Sequence, residues 1–174
     1  MAQAEQVAHP LAPVYDKNSK VLILGTMPSP ASRKAGFYYM HPQNRFWKVI
    51  CTILNEPLPD TIEEKRALLL RRGIALWDTL ASCEIEGAAD AAIKCPVPND
   101  FGPILETASL RAVFTTGKKA YQLYTKHCAE TCGIPALLLP SSSPANCAVK
   151  FDALCDAYGA ILPYLDAPRS ERSD

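Results

Sequence analysis

The sequence predicts an α/β fold in three layers, an α/β/α sandwich around a central, mostly parallel four-stranded sheet. Two observations support this prediction: four short apolar runs without polar alternation, and a helical pattern after each run. Continuous apolar runs are typical of strands that are buried on both faces of a parallel sheet. Right-handed crossovers between such strands place helices on both faces. The four runs span residues 21–24, 74–77, 112–115 and 136–139.

The first two helices are predicted from apolar spacing and end signals. Residues 46–54 carry apolar side chains at helical spacing, and Pro42 suits a position near the start of that helix. Thr61 stands three residues before Glu64, which is the pattern of a capping box. The second helix is therefore predicted to begin at Thr61 and to end at Gly73.

The second half of the chain predicts two more helices, over residues 118–128 and 151–163, with Pro163 ending the last one. Segments at the two ends of the chain, and one between the second and third strands, lack clean periodicity. We expect these segments to be loosely ordered or irregular, and they are residues 1–12, 84–100 and 167–174.

Length and composition predict one compact domain over residues 1–174, with an ordered core over 9–166. The chain has 174 residues, of which 48% are hydrophobic, enough for a proper core. No apolar run reaches the roughly 20 residues of a membrane span, and no secretory signal begins the chain. We therefore expect a soluble protein without membrane contacts, located in the cytoplasm.

Charge and cysteine content restrict the partners and cofactors that are expected. The 18 basic and 18 acidic residues give a net charge of +0, so binding to a polyanion would need a local basic patch. Seven cysteines, without a Cys-x-x-Cys pair, argue against a disulfide framework and a metal cluster. Cys128 and Cys132 are interpreted as small buried hydrophobic residues. No cofactor and no metal are expected.

Ligands of such folds bind outside the carboxyl ends of the strands. The residues that directly follow the four predicted strands are therefore the candidates for a site. Two of these four segments are rich in Ser, Pro and Gly, a composition suited to backbone contacts with phosphates or a base. The segments are residues 25–29, 78–79, 116–118 and 140–146.

Two blocks of sequence resemble the uracil-DNA glycosylase superfamily, and its mismatch-specific and hypoxanthine branches most closely. The first block comprises GTMPS at 25–29 and GFYYMHPQNRFW at 36–47; the second is LPSSSPAN at 139–146. A His-Pro-x-Asn-Arg-Phe-Trp string after a Gly-x-x-Pro strand end is a specific signal, whereas the Ser-rich loop alone would be weak. The resemblance extends over roughly residues 9–163.

The resemblance implies a monofunctional DNA glycosylase that hydrolyses the N-glycosidic bond of a deaminated base in base excision repair. It implies hypoxanthine, the base of deoxyinosine, as the first expected substrate. Uracil or mismatched thymine is the alternative substrate, and a non-catalytic protein that binds DNA lesions is the alternative class. The expected partner is damaged DNA, double- or single-stranded, with a flipped base, bound by a monomer. The two blocks contain no lysine that could form a Schiff base, so strand cleavage by β-elimination is not expected.

One position departs from the mismatch-specific branch. Those relatives carry an Asn in Gly-x-Asn-Pro that positions the hydrolytic water, whereas this chain has Met27, whose thioether can neither position nor deprotonate water. The resemblance implies that Asn44 is the catalytic residue instead. Its amide could donate to the extruded base, its carbonyl could hold the water, or the side chain could only bond the local backbone.

The first block also contains the residues expected to bind the base. Tyr39 aligns with the aromatic residue that stacks on the flipped base in relatives, and Phe37 and Tyr38 compete for that role. Thr26 and Met27 are expected to offer backbone N–H groups. His41 is expected either to contact the leaving base or to fix its own loop. Phe46 and Trp47 are interpreted as residues that pack the helix onto the sheet.

The second block is expected to contact DNA. The resemblance implies that Ser141, Ser142 and Ser143 bind phosphates beside the lesion, while Pro144, Ala145 and Asn146 fill the vacated space, with Asn146 bonding the widowed base. Three lysines could supply a local positive patch: Lys118, Lys119 and Lys150. Asp78 is interpreted as a helix cap in preference to a site residue. His9 and His127 have no context that suggests a role.

Overall fold

A computed structural model of the protein describes residues 5–85 and 93–165, and within them fifteen helices and strands. The bounds are β1 Glu5–Ala8, β2 Val21–Gly25, α1 Pro30–Ala35, α2 Phe46–Leu54, α3 Ile62–Arg71, β3 Ile74–Asp78, β4 Leu80–Ile85, β5 Ile93–Pro98, α4 Gly102–Thr107, β6 Ala112–Thr116, α5 Lys118–His127, α6 Ala129–Cys132, β7 Ala136–Leu139, α7 Phe151–Tyr158 and α8 Leu162–Leu165.

The predicted parallel sheet is confirmed. Its strands lie in the order β3-β2-β6-β7, and every neighbouring pair is parallel. Strand β2 lies in the interior of the sheet, with Val21 opposite both Ile74 and Ala112. All five residues of β2 and of β6 are buried, as continuous apolar runs require of strands covered on both faces.

Helices cover both faces of this sheet, which confirms the three layers. Along β2, Val21 and Ile23 face a core that contains residues of α2, α3 and α7. Leu22 and Leu24 face a second core, which contains residues of α4 and α5. Alternate side chains of one strand thus enter separate cores, because successive residues of a strand point to opposite faces.

The helix boundaries follow the predicted end signals in most places. The capping box at Thr61 and Glu64 is present at the start of α3. The last prediction is wrong, because Pro163 does not end the helical segment: a 3-10 turn at Gly159–Ile161 leads into α8, where Pro163 is the second residue. Proline is tolerated in a first turn, where its missing N–H has no partner to lose. None of the described helices is long and apolar enough to cross a membrane.

A second, antiparallel sheet of order β1-β4-β5 was not predicted. The expectations of loose order before residue 9 and of an irregular segment from 84 to 100 are wrong for 5–8, 84–85 and 93–98, which lie in β1, β4 and β5. The pairing of β4 with β5 shifts register twice, which disrupts the alternation that reveals a strand in a sequence. The rest of the expected loosely ordered or irregular residues lie outside the described parts of the chain. They belong to residues 1–4, 86–92 and 166–174.

Candidate active site

A cavity of about 270 Å³ lies at the carboxyl ends of β2, β3 and β6, where the fold class places ligands. Both blocks of the sequence resemblance contribute to its lining. The first supplies residues 25–29 together with Tyr39 and Asn44, and the second supplies 141–143. Val7 and Ile85, from the antiparallel sheet, and the strand-end residues Asp78 and Thr116 line it as well.

Asn44 has a defined amide orientation in this cavity. Its Oδ1 accepts hydrogen bonds from the backbone N–H of Phe46 and from the hydroxyl of Ser142, each at 2.9 Å. Because a backbone N–H can only donate, the atom facing Phe46 must be the oxygen. The amide nitrogen of Asn44 has no hydrogen-bond partner within residues 5–85 and 93–165. Asn44 therefore presents a free N–H₂ donor in a cavity that it lines.

Arg45, which sequence reasoning did not single out, holds the Ser/Pro loop (residues 140–149) against the first block. Its guanidinium donates to the carbonyl oxygens of Ser143, Asn146 and Val149. Its backbone N–H donates to the carbonyl of Ser142 at 3.2 Å. One side chain thus bonds three points of the loop, and Ser142 is brought to Asn44.

The Ser/Pro loop is also bonded internally. The hydroxyl of Ser141 accepts from the backbone N–H of Ser143, and the amide nitrogen of Asn146 donates to the carbonyl of Ser141. Ser142 is 1% exposed and its hydroxyl donates to Asn44, so the expectation that it contacts a phosphate is corrected. Asn146 braces the loop through its amide nitrogen, while Pro144 is half-buried and Ala145 is exposed.

Tyr39 is the aromatic residue of the first block that combines exposure with a place in the cavity. Its half-buried ring stacks on Phe46 with centroids 3.9 Å apart, and its hydroxyl lies 3.1 Å from Oγ1 of Thr116. Burial, and next the negative charge of Asp78, raise the pKa of the Tyr39 hydroxyl well above its ordinary value. The phenol therefore stays protonated at neutral pH.

Two expected base contacts do not line the cavity. Phe37 is 1% exposed and stacks on Trp47 in the core, so the expectation that it contacts the base is corrected. His41 accepts a hydrogen bond from the backbone N–H of Gln43 at Nδ1 and fixes its own loop. The predicted packing of Phe46 and Trp47 against the sheet is confirmed, since both belong to the core around β2 and β3.

The remaining expected contacts lie at or beside the cavity. Thr26 is 6% exposed, and Met27 lines the cavity while packing against Leu80, Cys83 and Leu123. The lysines form no part of the cavity lining: Lys118 and Lys119 begin α5, and exposed Lys150 precedes α7. Arg33, on α1, is the cationic side chain in the lining, and sequence reasoning missed it.

Asp78 and His9 were also missed. Asp78 ends β3 and is followed directly by β4, so its interpretation as a helix cap is wrong. Its Oδ2 lies 2.8 Å from Nε2 of His9, and the two side chains are 5% and 2% exposed. The position of Asp78 directly after an apolar run was a usable signal. Nothing in the sequence could reveal His9, because the pair is 69 residues apart.

The three-layer fold and the strand-end cavity, lined by both blocks of the sequence resemblance, place this chain among the α/β proteins whose ligand site lies at the carboxyl ends of parallel strands. A family model of the uracil DNA glycosylase superfamily matches residues 12–166. The chain belongs to this superfamily. Membership implies that the protein binds DNA as its substrate.

Curated relatives and a solved structure agree with this assignment. The chain is 35% identical over 136 residues to a hypoxanthine DNA glycosylase of Methanosarcina barkeri, covering 77% of this chain and 85% of that protein. It is 35% identical over 135 residues to a hypoxanthine DNA glycosylase of Methanosarcina acetivorans, covering 76% and 84%. A solution NMR structure from Methanosarcina acetivorans, assigned as a candidate uracil DNA glycosylase, matches with a TM-score of 0.78 at 30% identity and covers 91% and 98% of the two chains.

Proposed function

We propose that this protein hydrolyses the N-glycosidic bond of deoxyinosine in DNA, releasing hypoxanthine and leaving an abasic site. The single observation that carries the proposal is the free amide donor of Asn44 in the strand-end cavity. The two relatives named hypoxanthine DNA glycosylases support the choice of base.

Cleavage of an N-glycosidic bond separates a positively charged, oxocarbenium-like sugar from a base that leaves with negative charge. A preorganised N–H donor aimed at the base stabilises the charge that develops in the transition state. The oxygen of Asn44 already accepts from two donors, Phe46 N–H and the Ser142 hydroxyl, so it has no lone pair left for a water. Of the roles open to Asn44, donation to the base is therefore the one that we propose.

The flipped base is proposed to enter the 270 Å³ cavity and to stack on Tyr39. Pro144 and Ala145, at the tip of the Ser/Pro loop, would occupy the space left in the duplex. We propose that Ser141 and Ser143 bind backbone phosphates of the DNA. Lys118 and Lys119 would add positive charge beside these phosphates. We propose that a monomer does this, since every group invoked comes from one chain.

The direct test uses oligonucleotides with one deoxyinosine, or one uracil opposite guanine or adenine, at excess enzyme. We expect a site that breaks only after alkali treatment in the deoxyinosine strand, because hydrolysis leaves an intact abasic backbone. Faster cleavage at uracil would assign the alternative substrate. Binding of the deoxyinosine duplex without release of free base would assign the lesion-binding alternative and overturn the proposal.

The role of Asn44 is tested by Asn44→Asp. Aspartate retains the oxygen that accepts from Phe46 and Ser142, and it replaces the amide donor with a second oxygen. We expect the single-turnover rate on deoxyinosine to fall by about 10²-fold or more, the range found when one such donor is removed. Asn44→Ala, which also removes the accepting oxygen, should lose at least an order of magnitude.

Thermal unfolding of Asn44→Asp provides the control. Because the bonds that hold the loop are retained, we expect a midpoint close to that of the wild type. An unchanged or increased rate would contradict the proposal, since a carboxylate could activate water where an amide could not.

A further inference from the structure

We propose that Asp78 is a specificity-determining residue that accepts a hydrogen bond from the lactam N–H of a deaminated base, and that His9 is the positioning residue that holds Asp78 in this role. The inference rests on the proposed function. It assigns two residues outside both blocks of the sequence resemblance, one of them from the N-terminal segment that follows β1.

The proton of the His9 ring has a defined place. The backbone N–H of Leu11 donates to Nδ1 of His9 at 3.2 Å, so Nδ1 carries no proton and the ring proton is on Nε2. Nε2 therefore donates to Oδ2 of Asp78, at 2.8 Å. The ring is held between Tyr38 and Trp77, with centroids 6.1 and 6.2 Å away. His9 thus fixes which oxygen of Asp78 is bonded to the protein.

The other oxygen of Asp78 is left for a ligand. Oδ1 has no hydrogen-bond partner among the described residues, and Asp78 lines the cavity. A Cβ atom on Gly25 would lie 2.6 Å from Oδ1 and 3.1 Å from the hydroxyl of Tyr39. Glycine at position 25 therefore leaves room for an acceptor oxygen beside the ring on which we propose that the base stacks.

Deamination changes the hydrogen-bonding pattern that this acceptor meets. Adenine has a lone pair at N1, whereas hypoxanthine has an N1–H donor and a neighbouring carbonyl. An acceptor fixed in the cavity can receive a hydrogen bond from the lactam N–H of hypoxanthine. Opposite adenine it meets the N1 lone pair, which is also an acceptor, so no hydrogen bond forms there. Because a buried polar group left without a partner is costly, such an acceptor discriminates strongly between hypoxanthine and adenine. The bond from His9 draws charge toward Oδ2, away from the base that departs with negative charge.

Asp78→Asn is expected to invert this pattern. Because Nε2–H of His9 requires an acceptor, the oxygen of the new amide takes the place of Oδ2, and the N–H₂ group faces the cavity. A donor then meets the N1–H of hypoxanthine. We expect the rate on deoxyinosine, relative to deoxynebularine, whose unsubstituted purine has an N1 lone pair, to fall at least tenfold.

The double variant His9→Phe, Asp78→Asn tests whether His9 positions the side chain at 78 or has only a structural role. Phenylalanine retains an aromatic ring without a donor, so the amide of Asn at 78 can turn its oxygen toward the cavity. We expect the preference for deoxyinosine over deoxynebularine to recover relative to Asp78→Asn alone. A residue with a merely structural role would make the double variant no better than the single one.

The experiment measures single-turnover rates of the wild type, both single variants and the double variant on oligonucleotides with one deoxyinosine or one deoxynebularine. Folding is checked for each protein by thermal unfolding. If the proteins with His9→Phe fail to fold, the ratio measured with Asp78→Asn decides by itself. An unchanged ratio in Asp78→Asn overturns the assignment of Asp78 while the proposed function stands. No cleavage of deoxyinosine by the wild type overturns the proposed function, and this inference with it.

Discussion

The two ends of the parallel sheet differ in charge and in the use of their hydrogen-bonding groups. A groove at the amino end, of about 790 Å³, is larger than the cavity at the carboxyl end, at about 270 Å³, and more basic. Four of its five basic side chains, however, already donate to the protein itself: Lys20 to the carbonyl of Leu165, Arg71 and Arg72 to Glu56, and Arg111 to the carbonyl of Tyr164. The fifth, Lys17, is exposed.

The carboxyl end is nearly neutral, but its donors and acceptors are not all used. The amide nitrogen of Asn44 and Oδ1 of Asp78 have no partners among the described residues, although both side chains line the cavity. The comparison teaches that the unpaired donor of half-buried Asn44 and the unpaired acceptor of buried Asp78, rather than volume or charge, distinguish the candidate site in this molecule.

The sharpest test of this contrast compares one glycine from each end. Gly25→Ala would bring a Cβ within 2.6 Å of Oδ1 of Asp78, so the carboxylate must move. We expect a loss of deoxyinosine cleavage of more than tenfold. Gly73→Ala, at the amino end, introduces a side chain at φ 75 and should cost about 1–2 kcal/mol of stability with little change in rate. Equal rate losses in the two variants would remove the functional distinction between the ends.

An intermediate effect is expected from one arginine at each end. Arg45→Met removes the guanidinium bonds to Ser143, Asn146 and Val149, so the Ser/Pro loop and Ser142 are held less firmly beside Asn44. We expect single-turnover cleavage to fall by roughly tenfold, since small displacements of positioned groups are costly. Arg72→Met serves as the matched control and should leave the rate unchanged. A rate that depends on Arg72 and not on Arg45 would contradict the proposal.

The smallest effect is expected from Glu56, at the amino end. The hydrogen bond from Arg72, with further help from Arg71, lowers the pKa of the Glu56 carboxyl below its usual 4.5. A lowered pKa in the folded state contributes stability above the usual pKa, and this contribution is lost as the pH falls through the folded value. Glu56→Gln should therefore lower the unfolding midpoint slightly at neutral pH, and the difference from wild type should vanish in acid. A difference that persists at low pH would contradict this account.

Much of the fold was predictable from local patterns. The continuous apolar runs of β2 and β6 reflect burial on both faces, and a capping box such as that at Thr61 is formed by residues three positions apart. The sheet of β1, β4 and β5 was not predictable in the same way. Its register shifts break the alternation of side chains, and the residues of β1 pair with residues of β4 that are 74 to 80 positions further along the chain.

The amino-acid sequence by itself determined the layered fold, the end of the sheet where the candidate site lies, and the two blocks that line the cavity there. Those features follow from local periodicity, from strand direction and from strings of neighbouring residues. Only the tertiary structure decided which atoms are free to act. Ser142 and Asn44 are 98 residues apart, and His9 and Asp78 are 69 apart. Whether a polar group is already hydrogen-bonded or free depends on such long-range neighbours. A hydrogen bond between residues that are distant in the chain produces no pattern in the sequence.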